Sequence, residues 1–431
     1  MFNRVAINFG KVLRGRGIAA VLSVASIGLA AHALPVEQFG LIILLHTYVK
    51  VIKGFLNFRT FEAIVRFGVP LQDNGDEPRL KSLLRSSMMI DFASSLLAAL
   101  IAVAAVPLAS QFLHWDGQLT QWAWFYVLIL LTTCVNTGSG ILRLYDRFDA
   151  LGVQYTVQPM VRLVLVCLAW LFDGSMFVFL LAWGFAYCAG NIYMFMRGLV
   201  ELKEHLSTPF LQGFRWREIL ERDRGFWGFI GVIYWQTNLD LVPKQVSTLL
   251  AGNLLGPAAA GLFRLAREIS TVLTRPATLL RDVLFPDLTR AWNANDSGFR
   301  KQLFRTSLIA GCAGLLIVVL GWFVGEHLLA LIGEDYVPAK PLMVLLLFAA
   351  SFELASAPLR AAAYAMGKAS ALLRIHALGV AFYIVFFYWV TGYVGLIGPG
   401  LASVLTSILT FSLTARLIVR FNEKPANPTV V

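Results

Sequence analysis

Apolar positions along the chain gather into long runs separated by short polar stretches. The runs lie at roughly 14–34, 38–58, 84–108, 121–143, 155–172, 174–196, 226–252, 256–286, 302–324, 338–362, 371–391 and 395–420. Each reaches about the 18 residues that a helix needs to cross a bilayer. Turn signals punctuate them: Leu34-Pro35, Asn74-Gly75, Gly256-Pro257, Asn295-Asp296 and Gly398-Pro399. The pattern predicts an all-α membrane protein with about twelve transmembrane helices.

Composition agrees. Of 431 residues, 58% are apolar and 14% charged, against about a quarter charged in soluble domains. Mean hydropathy is +0.70. The first 33 residues imitate a secretory signal, with Arg4, Lys11, Arg14 and Arg16 ahead of an apolar run and Ala31-His32-Ala33. The internal repeat described below requires that segment as a helix.

Charge placement gives topology. Of 36 Lys and Arg, 27 fall in connections or span ends on one side, eight lie deeper inside spans, and only Lys340 lies at the other side. Basic residues collect on the cytoplasmic side, so an even number of spans with both termini cytoplasmic is expected. The net charge of +11 is read as this topology signal together with an anionic substrate. No basic tail or soluble basic domain is present to hold nucleic acid.

The chain repeats itself at an offset of 221 residues. Leu34-Pro35-Val36-Glu37-Gln38-Phe39-Gly40-Leu41 resembles Leu255-Gly256-Pro257-Ala258-Ala259-Ala260-Gly261-Leu262, and spans two to six map onto spans eight to twelve. Six spans is an even number, so the repeat is parallel, one of the symmetries that transporters use. The expected organisation is a six-helix lobe over 1–196, a cytoplasmic linker over 197–224 and a second six-helix lobe over 225–431.

Charges inside spans carry the candidate chemistry, because a charge at mid-bilayer costs at least about 2.5–3.5 kcal/mol without a partner or wet cavity. His46, Lys50 and Lys53 share one stripe of the second span, at i, i+4 and i+7. Arg264, Arg267, Glu268, Thr271 and Arg275 form a similar stripe on the eighth, its repeat partner. Lys50, Lys53 and Arg264 lack an obvious local acid and are read as cavity-lining. Arg267 with Glu268 fits either a structural ion pair or a cavity role. Asp240 and Lys244, one turn apart, either brace a helix that Pro243 loosens by removing a backbone donor or take part in coupling. Glu353, alone in an apolar span, fits either a coupling cation or a neighbouring helix. Arg162 and Asp91, together with Arg275, Arg281 and Asp282, are expected to reach toward the interface. His46 and His376 read as polar fillers.

Other chemistry lacks its residues. Cys134, Cys167, Cys188 and Cys312 sit in apolar runs without CxxC spacing, so neither disulfide nor metal site is expected. There is no phosphate-binding loop ending in Lys-Ser/Thr, no HExxH and no GxSxG. Gly225, Gly228 and Gly231 read as helix-packing positions. A membrane polysaccharide polymerase or ligase would need a sizeable outward loop, and the outward connections near 109–120 and 325–337 run about a dozen residues, too little scaffold to hold a site rigidly. No catalytic residue and no cofactor are expected; the chain is read as a non-enzyme.

Two lobes of six spans in about 430 residues resemble the multidrug/oligosaccharidyl-lipid/polysaccharide exporter superfamily. Within it the chain looks like a polysaccharide transporter of the Wzx type, a flippase for lipid-linked oligosaccharides. The stretches that carry the likeness are Arg14-Gly15-Arg16-Gly17 through Ala33 to Leu41, and Ala258 to Phe263 through Phe285-Pro286-Asp287-Leu288. The resemblance implies a MATE-like fold in the bacterial inner membrane. It also implies alternating access around a basic cavity that meets the pyrophosphate or sugar acids of the substrate, with Lys50, Lys53, Arg264 and Arg267 suited to that cavity. It implies lipopolysaccharide or exopolysaccharide biosynthesis, glycan polymerases as partners, and coupling to H+ or Na+ through Asp240 or Glu353. A multidrug exporter of the same superfamily is the alternative; its cavity should be acidic, whereas the charges inside these spans are mostly basic.

Overall fold

The computed structural model describes residues 2–207, 209–210, 224–271, 288, 292 and 298–420. Every regular element among them is helical. The chain divides into two compact units, Met1–Leu241 and Val242–Val431. The lobe boundary at 197–224 expected from the repeat is a different division, resting on sequence spacing. Most of that linker, like Arg275, Arg281, Asp282 and the Phe285-Pro286-Asp287 stretch, lies outside the described residues.

The first unit runs α1 (Phe2–Ala33), α2 (Val36–Phe55), α3 (Thr60–Asp73), α4 (Glu77–Phe112), α5 (Gly117–Tyr126), α6 (Asn136–Leu144), α7 (Phe148–Leu171), α8 (Met176–His205) and α9 (Arg224–Leu241). The second begins with a π-helical turn, Val242–Val246, and continues through α10 (Ser247–Leu255) and a helix α11 over 257–271. It ends with α12 (Phe299–Ala330), α13 (Lys340–Ala365), α14 (Ala369–Val394) and α15 (Gly398–Arg420). Helix starts at Glu77, Phe148 and Met176 recur at Phe299, Ala369 and Gly398, displaced by 221 or 222 residues. The repeat inferred from spacing is therefore present as a repeat of elements.

All twelve apolar runs fall on these helices, the eighth only as far as residue 271. By length and composition alone, nine segments among the described residues can cross a membrane. One of the nine, Ala369–Arg420, holds two helices, α14 and α15. Large apolar side chains such as Leu108, Phe125, Phe172, Trp235, Phe323 and Tyr393 are exposed, as expected where lipid is the solvent.

Among the described residues, three spans are not single helices. The second breaks at residues 56–59 between α2 and α3. The fourth is α5, a 3₁₀ turn at Val127–Thr132 and, after a break at 133–135, α6. There the Thr132 and Thr133 hydroxyls donate back to the carbonyls of Ile129 and Leu130, competing with the α-helical ladder. The seventh passes through the π turn at Pro243, whose missing N–H removes one backbone bond. This is the loosening its sequence predicts.

Close backbone approach sets the helix crossings in the first unit. A Cβ on Gly198 of α8 would stand 2.5 Å from the Cα of Gly138 on α6, and one on Gly138 would stand 2.5 Å from the Met194 carbonyl oxygen. Gly15 of α1 likewise meets the Gly152 backbone of α7, which gives the Arg14-Gly15-Arg16-Gly17 motif a packing role. Ile64, Leu80, Leu84, Ile141, Leu144 and Leu202 bury a core between α3, α4, α6 and α8. Phe226 and Ile230 seat α9 against Ala63, Leu83 and Ile90. In the second unit Phe299, Leu303, Leu359, Ala362, Ala363, Leu372 and Ile418 join α12 to α15. Ser307 of α12 donates to the Ala355 carbonyl of α13 at 2.7 Å.

Candidate functional site: buried polar clusters and basic residues

The first unit holds a polar network at the broken ends of its second and fourth spans. Asp91 of α4 is 1% exposed. Its carboxylate accepts from the Thr60 hydroxyl (2.8 Å), the Thr137 backbone N–H (2.6 Å), the Thr137 hydroxyl (2.8 Å) and Asn136 Nδ2 (3.3 Å). A helix of nine residues such as α6 leaves its first N–H groups without intrahelical partners, and its N-cap, Val135, offers no side-chain acceptor. Asp91 supplies that cap from another helix, where the helix dipole also favours a negative charge. The network extends to Asn57, which accepts from Asn136 at 2.9 Å and from the Arg59 N–H at 3.1 Å. That pair of bonds holds the α2–α3 break in shape.

Lys53 is buried on α2 and donates to Ser95 Oγ at 3.3 Å. Ser95 in turn meets Thr133 Oγ1 at 3.0 Å, and the Asp91 charge acts on Lys53. Lys50, one turn earlier, is half-buried. His46 is buried, bonded through Nδ1 to the Tyr126 hydroxyl at 2.8 Å and edge-on to Tyr126 and Tyr187. It fills the core, as its sequence suggests.

Two residues expected to reach the interface do otherwise. Asp91 is the hub just described. Arg162 of α7 is buried, donating from Nε to Ser26 Oγ at 2.8 Å and from Nη2 to Ser23 Oγ at 2.9 Å, with its guanidinium 5.1 Å from the Trp183 ring centre. Serine hydroxyls on α1 and an aromatic face take the place of water. A residue's distance along a span does not say which neighbour it faces.

In the second unit Arg264, Arg267 and Glu268 share α11. Arg264 donates to Glu268 Oε2 at 3.1 Å, so it has a local acid after all, one turn along its own helix. Arg267 donates to Ser247 Oγ at 3.0 Å and lies 5.9 Å from the Phe263 ring centre. The charges of Glu268 and Glu353 both act on Arg267. Glu353 is exposed on α13, and its backbone carbonyl accepts from Arg360. Lys244 is exposed on the π turn, and the side chain of Asp240 lies outside what is described. Lys50 and Lys53 thus belong to the first unit, and Arg264, Arg267, Lys244 and Glu353 to the second.

One acidic and histidine grouping exists among the described residues: Glu201, Glu204 and His205 at the end of α8. Arg147 already occupies the Glu201 carboxylate at 3.2 Å, and Arg197 approaches it at 4.0 Å. Cations of the protein itself fill the place an ion would take.

No protein-family model matches the chain. An inner membrane protein, YghQ of Escherichia coli K12, is 28% identical over 343 residues, spanning 76% of this chain and 92% of that protein. Among solved structures, a multidrug resistance MATE family transporter of the MOP superfamily in an inward-facing conformation superposes with a TM-score of 0.75. It is 15% identical, and the match covers 96% of this chain and all of that one. This chain has the MATE-type fold. The lipid II flippase MurJ, in an inward closed conformation, superposes with a TM-score of 0.73 at 12% identity, over 94% of this chain and 86% of its own. A point mutant of the Vibrio cholerae MATE transporter VcmN gives 0.64 at 16% identity, over 97% and 98%.

Proposed function

We propose that the protein is a flippase of the bacterial inner membrane. It moves a polyprenyl-diphosphate-linked oligosaccharide from the cytoplasmic to the periplasmic leaflet by alternating access. The fold it shares with a multidrug transporter and with a lipid II flippase supports a transport role, and its E. coli relative carries an inner membrane name. The observation that carries the choice of substrate is the sign of the charge within the spans. Lys50 and Lys53 on α2, and Arg264 and Arg267 on α11, put cations in both halves of the repeat. Guanidinium and ammonium groups bind phosphate more strongly away from bulk water. On this reading both termini are cytoplasmic, the repeat halves 1–196 and 225–431 rock about the substrate, and glycan polymerases act on the product. Asp240 or Glu353 serves a coupling H+ or Na+.

A drug exporter is the second reading, and the full-length match to a multidrug transporter favours it. It requires an acidic site for cationic drugs, and the inventory of these spans is mostly basic. The deciding test is glycan export in bacterial strains lacking their own oligosaccharide flippase. Restored surface polymer, reduced by Lys50→Ala and by Arg264→Ala in well-inserted protein, is the expected result. Normal export from both variants removes the basic-cavity mechanism. No restoration across several glycan types, with drug resistance gained instead, overturns the flippase reading.

A further inference from the structure

Two arginines from separate elements of the first unit share one aromatic ring, and a third acts on one of them electrostatically. Arg143 of α6 lies with its guanidinium carbon 4.5 Å from the centre of Phe61, and Arg59, in the α2–α3 break, lies 4.9 Å from the same centre. Arg16 of α1 stacks on Tyr155 at 5.0 Å and donates to its hydroxyl at 3.3 Å. The charges of Arg59 and Arg16 both act on Arg143, with Tyr155 and Glu62 in the same neighbourhood.

Acids are scarce among them. Within ion-pair distance, the described residues supply Glu62 alone, 2.7 Å from Arg59. Arg143 spends its Nη1 on the carbonyl and hydroxyl of Ser139, one turn back on its own helix. Arg59 reaches Thr237 Oγ1 only at 3.5 Å, and its Nε is buried without a hydrogen-bond partner. Arg59 also sits in the left-handed region, at φ 47° and ψ 45°, which costs a non-glycine residue about 1–2 kcal/mol. Asn57 holds it there through the Asp91 network.

Basic residues that only mark the cytoplasmic side lie out in water or among headgroups. Arg59 and Arg143 instead are half-buried against Phe61, and mutual repulsion with an unfilled donor is a cost that an anion between them would relieve. We infer that Arg59 and Arg143, with Phe61 as their platform, and Arg16, stacked on Tyr155, form a phosphate-binding site contained in the first unit, distinct from the Lys50, Lys53, Arg264 and Arg267 set. Its ligand is a lipid-borne phosphate or diphosphate, either the headgroup of the proposed polyprenyl-diphosphate substrate or that of an anionic phospholipid. The first of these sources rests on the flippase reading; the site itself does not.

The test uses the full-length protein in phosphatidylcholine nanodiscs, with apparent affinity read from the ligand-dependent rise in Tm. The probes are undecaprenyl diphosphate and phosphatidylglycerol. Arg143→Gln and Arg59→Gln are expected to weaken binding of at least one probe tenfold or more. Arg16→Gln, which alters an exposed side chain, serves where a half-buried variant fails to fold. Loss confined to undecaprenyl diphosphate supports the site with substrate as its source, and loss confined to phosphatidylglycerol supports it with bilayer lipid as its source. Affinities for both probes within twofold of the parent in every folded variant overturn the proposal. A chain that restores glycan export yet shows no such loss refutes this site and leaves the flippase reading standing. A chain that shows the loss but restores no export does the reverse.

Discussion

Replacing Asp91 by alanine tests whether one carboxylate ties three helices together. The substitution removes acceptors for Thr60 on α3 and for Thr137 and Asn136 on α6. Hydrogen bonds between helices inside membranes are worth about 0.6 kcal/mol on average and at most about 1.7. The two threonine hydroxyls can rotate toward other acceptors, so they count near the average. The Thr137 N–H has no such recourse, because α6 begins at Asn136 with no other side-chain cap; it counts near the maximum. Asn136 adds a long bond, and Lys53 loses a nearby negative charge. The expected cost is about 3 kcal/mol, from those magnitudes. At about 2–4 °C per kcal/mol for a unit of this size, Tm falls by roughly 6–12 °C. Asp91→Asn keeps the shape and one acceptor oxygen, and is expected to lose about half as much. The assay is thermal unfolding in detergent, read by a thiol-reactive dye in a background where buried Cys134 is the only cysteine. Cys134 sits in the 133–135 break that the network braces. A Tm for Asp91→Ala within about 2 °C of the parent would refute the reasoning, since loss of an orphaned helix cap alone should exceed that.

Two further outcomes follow from particular contacts. Gly138→Leu and Gly198→Leu each set a side chain against backbone at 2.5 Å, which no rotamer relieves. Both should lose most monodisperse protein on size-exclusion chromatography, while Gly225→Ala, with open space around it, keeps it. Arg264→Ala should lower both Tm and glycan export, because it removes the 3.1 Å ion pair with the buried Glu268. Adding Glu268→Ala should recover part of the Tm and none of the export; recovered export would make Arg264 a counter-ion and not a substrate ligand.

The span pattern is legible because lipid imposes a simple rule: backbone groups must bond within the helix, and side chains must be apolar over about 20 residues. Pro243 can be read as a loosening point because its effect is local, a missing N–H. His46 is legible as filler from its place among apolar neighbours. The breaks in the second and fourth spans do not follow from the apolar runs, although Thr132-Thr133 and Asn136-Thr137 interrupt one run and mark one of the breaks. Asp91 and Arg162 escape a reading by depth along the helix, because facing direction decides their partners. Those partners, Thr137 and Ser26, lie 46 and 136 residues away in sequence.

What the sequence determined by itself is therefore what periodicity, hydropathy and local backbone chemistry control: the all-helical membrane architecture, the repeat of elements and the sign of the embedded charge. What only the tertiary structure decided is which charges are already satisfied. Lys53 meets Ser95, Arg264 meets Glu268, and Asp91 caps a helix not its own, whereas Arg59 and Arg143 share the Phe61 ring and only Arg59 has an acid, Glu62, at hand. Electrostatic and hydrogen-bond energies fall off within a few ångströms, and at that scale residues far apart in sequence become neighbours only when the helices cross.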